Sequence, residues 1–110
     1  MLGFRLYMAQ RITAILIAPL VLLHLGVMVY AIQGGLSAAE ILGRTQGSLW
    51  WGLNYGLFVF AVSIHAAIGL RVVLHETFGL KKKPLDVITL ALAVTFLFMG
   101  GRAVYAVVLS

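Results

Sequence analysis

No cysteine occurs in the chain, so it builds no disulfide, no thiolate metal ligand and no cysteine-held iron–sulfur cluster. Acidic residues are nearly absent as well. Glu40, Glu76 and Asp86 are the whole set, and none lies in the middle of an apolar run. An intramembrane histidine here therefore has no carboxylate partner, which argues against a proton relay. The same scarcity removes the buried carboxylate on which proton-coupled small drug exporters of similar length depend, and those exporters need four helices. Charged residues of both signs make up 10% of the 110 residues, against roughly 25% in a soluble domain. Internal repeats and low-complexity segments are missing too. These absences exclude a soluble enzyme.

What remains is hydrophobic: 63% of the residues are apolar and the mean hydropathy is +1.09. A membrane-spanning helix needs about 20 mostly apolar residues. Three stretches qualify. Residues 12–32 carry no charge, 48–74 are interrupted only by His65 and Arg71, and 85–109 are apolar apart from Asp86 and Arg102. Unsatisfied backbone groups are costly in lipid, so each stretch should be a helix, and the alternation that a membrane strand requires is absent. The expectation is one all-α integral membrane domain over 1–110 with three transmembrane helices. The first apolar run is longer than a signal-peptide core, and no convincing small-x-small cleavage site is present.

The net charge of +5 would suggest nucleic acid in a soluble protein. Here the basic residues sit between apolar spans, so the excess reads as topology and as contact with lipid headgroups or acidic cofactor groups, with no nucleic-acid partner. Arg5 and Arg11 precede the first span, Arg71 and Lys81–Lys83 lie between the second and third, and only Arg44 lies between the first and second. The positive-inside rule then puts the N-terminus and the second loop in the cytoplasm and the C-terminus outside. The expected location is the inner (cytoplasmic) membrane of a bacterium. In the outer loop, Leu36 to Leu42 should form a short interfacial helix capped by Ser37, with Glu40 three residues on. Trp50 and Trp51 fit the aromatic belt. Pro84 suits a first helical turn, and Pro19 should kink helix one and open room near His24.

Intramembrane ionisable residues raise a functional hypothesis by default. His24 lies roughly 20 Å past Arg11, and His65 lies roughly 9–15 Å from the cytoplasmic edge, by the helical rise. A neutral imidazole is a good axial ligand for haem iron. A flat porphyrin needs small neighbours, and Ala61, Ala66, Ala67 and Gly69 surround His65. The plainer reading is that these small residues serve helix packing and that the histidines bond a neighbouring helix. His75, beside Glu76, reads as a solvated interface residue. Arg11, Arg71 and Arg102 flank the spans: they either snorkel to headgroups or pair with haem propionates and quinone oxygens. Arg102, well inside the third span, is the least comfortable as a snorkeller.

The run Ser63-Ile64-His65-Ala66-Ala67-Ile68-Gly69-Leu70-Arg71 resembles the second helix of the small anchor subunits of succinate dehydrogenase and fumarate reductase, where a His-x-x-x-Gly-x-Arg pattern carries an axial ligand of haem b. Gln10-Arg11-Ile12-Thr13-Ala14 resembles the opening of their first helix, an Arg-x-(Ser/Thr)-(Gly/Ala) pattern near quinone and propionates. The resemblance covers most of the chain. It implies a haem b-binding membrane anchor that holds a flavoprotein and an iron–sulfur subunit on the cytoplasmic face and passes electrons to ubiquinone or menaquinone, or back for fumarate reduction. His65 carries over as a haem ligand, Arg11 as the quinone or propionate contact, and Glu76, the acidic residue after helix two, as a second quinone-site residue. The tyrosine that follows it in some members is Thr77 here, and the serine before the first arginine has no clear counterpart. His24, in Leu22-Leu23-His24-Leu25, resembles instead the first-helix histidine of the larger di-haem anchors. One chain would then supply half of a four-histidine set for one or two haems, and a partner anchor, homologous or identical, the rest. A haem-free anchor or an assembly protein is the alternative.

Overall fold

Residues 2–35 and 37–109 are described by the computed structural model. Helix α1 spans Leu2–Gly34, α2 spans Ala38–Thr45, α3 spans Leu49–Phe78 and α4 spans Lys82–Val104, continuing into a π-helical turn at Tyr105–Leu109. There is no strand among the described residues. α1, α3 and the α4–π segment are each long and apolar enough to cross a membrane. The protein is thus all-α with three membrane-spanning helices, as hydropathy implied. Its longest dimension, 48 Å, exceeds a hydrocarbon core of about 30 Å.

The helices outrun the apolar stretches. α1 starts at Leu2 and α3 continues to Phe78 because a helix adds one backbone hydrogen bond per residue and does not stop at the lipid boundary. Local chemistry stops it instead. Gly79 adopts a left-handed φ of 64°, and its N–H bonds the His75 carbonyl at 2.9 Å, ending α3 in the usual glycine manner. α1 runs through Pro19 as one helix. Ser37 caps α2 as its spacing suggested, its Oγ accepting from the Glu40 N–H at 3.2 Å; Leu36 lies outside the described residues. Ser48 caps α3 in the same way, accepting from the Trp51 N–H at 3.2 Å.

α3 is the central helix and packs along both α1 and α4. The buried positions are mostly small: Ala61, Ser63 and Ala67 on α3, Thr13 and Ala31 on α1. Large side chains such as Ile15, Leu22, Leu53, Leu90 and Phe98 point outward. In lipid there is little gained by hiding a leucine, so helices associate through close backbone approach instead. Gly100 shows this directly: a Cβ there would overlap the Val59 side chain.

The two ends are closed differently. At the end carrying the tryptophans, the Thr45 hydroxyl donates to the Val107 carbonyl at 2.6 Å, and the Gly47 N–H donates to the Val108 carbonyl at 2.6 Å. These are among the last carbonyls of the third span, which have no partner within their own helix. At the basic end, Arg71 Nη1 pairs with Asp86 Oδ1 at 2.7 Å and donates to Thr89 Oγ1 at 3.3 Å, tying α3 to α4.

Candidate functional site

Both mid-span histidines lie on the seam between α1 and α3. His65, half-buried on α3, meets the buried Thr13 of α1, with Nδ1 3.2 Å from Thr13 Oγ1. One turn before it, Ala61 is fully buried. One turn after it, Gly69 is covered by Gln10, whose Nε2 would stand 3.7 Å from a Cβ at that position. The small neighbours are therefore present, and at Gly69 they admit the Gln10 side chain. The Gln10 Oε1 is buried without a partner.

His24 follows Thr13 by 11 residues. At the helical repeat that is about 20° around the axis and roughly 16 Å along it, so the two residues share one face of α1 at different depths. The His24 ring stands edge-on to Tyr55, with centroids 6.4 Å apart, and tilted against Phe58 at 5.3 Å. Its Nδ1 is buried with no hydrogen-bond partner among the described residues. It borders a cavity of about 500 Å³ whose walls come from every helix, including Ala31, Arg44, Tyr55, Phe58 and Val104. Arg44, from α2, lies over the Tyr30 ring at 5.3 Å, and its Nε is also buried without a partner.

The other sequence candidates do not converge. Arg11 is exposed at the basic end, near Thr13 on α1, with no ion pair or side-chain hydrogen bond among the described residues. Arg71 is engaged with Asp86 and Thr89, and only 13% of its side chain is exposed. Arg102 is exposed on α4 and borders a separate outer groove with Phe98 and Tyr105. Glu76 is exposed at the basic end, in a shallow depression shared with Arg71, His75 and Lys82. His75 bonds the Leu80 carbonyl at 3.1 Å through Nδ1 and so belongs to the loop.

Three long apolar helices with histidines on one interhelical seam narrow the identity, and the comparison with protein families decides it. Residues 2–102 match the model of the succinate dehydrogenase/fumarate reductase transmembrane subunit. The chain belongs to that family. No curated protein and no solved structure matches it. Membership of this anchor family implies association with the flavoprotein and iron–sulfur subunits of the complex, and the family is generally associated with cytochrome b and quinone.

The residues present fit a haem. No group of three or more His, Asp or Glu converges among the described residues, so a bare metal ion has no cage here. A haem asks less of the chain, since the porphyrin supplies the equatorial nitrogens and the protein adds only axial imidazoles. His65 has no partner at Nε2 among the described residues, and His24 has none at Nδ1. Two residues of this anchor subunit escaped sequence reasoning. Arg44 entered for orientation and, by depth, as a charge near the level of His24, but not as a wall of the cavity beside it. Thr13 was part of a motif without a role of its own, because its contact with His65 crosses 52 residues of sequence.

Proposed function

We propose that this anchor subunit binds haem b and relays electrons between the iron–sulfur subunit and membrane quinone in a succinate:quinone oxidoreductase. The observation that carries the reading is the pair of imidazoles, His65 and His24, on one seam at two depths. Each would give one axial nitrogen, the opposite ligand coming from a second anchor chain, different or identical. Bound at either level, haem b supplies a one-electron relay. The His65–Thr13 hydrogen bond is the one feature that also suits a haem-free anchor, but it occupies a single ring nitrogen.

Quinone, ubiquinone or menaquinone, belongs in this reading at the basic end. Arg11 stands there unpaired and can donate to a quinone oxygen or a propionate, with Glu76 exposed at the same end. Arg71 contributes by holding α3 to α4 beneath His65. Arg102, on the outer surface of α4, faces lipid headgroups or a partner chain. The test is kinetic. Arg11→Leu in the assembled complex lowers succinate:quinone activity by about ten- to a hundredfold, the worth of a charge-assisted hydrogen bond of about 1.5–3 kcal/mol. Succinate oxidation with a soluble artificial acceptor survives. Equal loss of both activities refutes the role for Arg11.

The basic end faces the cytoplasm of a bacterium in this reading. A cysteine placed at Ser37 is expected to react with an impermeant maleimide in intact cells, and one at Lys82 only after permeabilisation. The opposite labelling pattern would overturn the orientation.

A further inference from the structure

We infer that Thr13 is a positioning residue for His65: it accepts the imidazole proton at Nδ1 and so leaves Nε2 as the bare nitrogen that meets iron. The inference rests on the reading of His65 as a haem ligand, and it adds a residue and an atom to that reading.

The argument is a count of protons. A threonine hydroxyl has one proton and two acceptor sites. Thr13 Oγ1 stands 2.7 Å from the Ala9 carbonyl oxygen and 3.1 Å from that of Gln10. This is the back-bond that helical threonine makes to its own preceding turn, and it uses the proton. Carbonyl oxygens only accept, so no other assignment satisfies both short distances. Oγ1 is then left with lone pairs toward His65 Nδ1, 3.2 Å away. If Nδ1 were bare, two lone pairs would face each other. Nδ1 therefore carries the hydrogen and donates it. A neutral imidazole has one N–H, which makes Nε2 the free electron pair.

The support is rigid. Thr13 is 5% exposed, and Ala61 and Ala67 beside His65 are buried. A β-branched side chain on a helix has little χ1 freedom, and the back-bond restrains it further. The acceptor therefore fixes the ring's plane as well as its tautomer. It also tunes the ligand: a donated Nδ1–H makes the imidazole more electron-rich, which favours ferric iron and lowers the potential. His24 provides the contrast within the same chain, since its Nδ1 has no partner.

The experiment uses the assembled complex with Thr13→Val, which keeps the shape and removes the hydroxyl, and Thr13→Ser, which keeps the hydroxyl. Two quantities are read: the potential of the redox step that His65→Leu abolishes, and the rate at which haem transfers to apomyoglobin. Thr13→Val moves that potential upward and speeds haem loss by about 10–100-fold, the usual effect of removing a ligand's supporting hydrogen bond. The step that depends on His24 stays in place, and Thr13→Ser restores both quantities. Thr13→Ala, which cannot overfill the seam, gives the same shift should the valine variant assemble poorly. If haem is bound but Thr13→Val leaves potential and loss rate at wild-type values, the inference fails while the haem reading stands. It fails equally if Thr13→Ser behaves like Thr13→Val, or if both steps move together, because either result means simple packing. A complex with no b-type haem band overturns the haem reading itself and this inference with it.

Discussion

Redox titration of the wild-type complex is expected to resolve two b-type steps; His65→Leu should abolish one, His24→Leu the other, and each should remove roughly half of the haem. Leucine has no lone pair, so the axial bond is lost outright while much of the side-chain volume is kept. The two steps should differ because a haem potential follows its ligand's hydrogen bonds, burial and neighbouring charge. His65 has a hydroxyl at Nδ1 and lies on the Arg11 side of the seam. His24 has an unpartnered Nδ1 between Tyr55 and Phe58, beside a cavity that Arg44 also borders. Haem clamps helices together, so loss of a ligand also weakens assembly, and haem must be counted per assembled complex. A single step, unchanged by His24→Leu, would leave His65 as the only ligand.

Gly100→Val should disrupt packing, because Gly100 has the least room for a Cβ among the described glycines. A Cβ at Gly100 would overlap Val59 Cγ1 and crowd Cγ2, and Val59 is itself a branched side chain with one favoured rotamer on α3. Val59 has to leave its rotamer toward the cavity it borders, or α4 has to move off α3. Overpacking of this sort costs about 1–3 kcal/mol. Lipid offers no hydrophobic drive to bring the helices back. The solubilised complex is expected to lose that much stability, read as a lower unfolding temperature and a lower yield of intact complex. Gly101→Val is the control, because nothing lies within 4 Å of a Cβ there. Val59→Ala should rescue much of the loss. Equal behaviour of the Gly100 and Gly101 variants would refute the close-contact account.

The three spans were legible because lipid leaves the backbone few options and because hydropathy needs no tertiary information. His65 stands out as a candidate through its spacing to Gly69 and Arg71, and the structure adds its contact with Thr13. The roles of the arginines were not legible. In the sequence Asp86 is only an exception at the start of the third apolar stretch, yet it takes up Arg71, and that pairing exists only once α3 and α4 are side by side. Arg44 reaches the cavity because α2 docks on the π-turn, a contact across more than 60 residues of chain. The helices extend beyond the apolar spans for a simpler reason. Hydropathy marks where the hydrocarbon stops, whereas helices stop at residues such as Gly79.

The unequal closure of the two ends sets where the molecule frays. At the tryptophan end, the carbonyls that normally loosen first are held by Thr45 and Gly47, so α2 and the last turn of the third span open together or stay shut. At the basic end, the Arg71–Asp86 pair is the ion pair joining α3 to α4, and the Asp86 side chain is 41% exposed. Of the two ends, amide exchange should therefore be slower near Thr45 than around Lys81–Lys83. The pliable face of this subunit is the one on which, in the proposed arrangement, its water-soluble partners would settle.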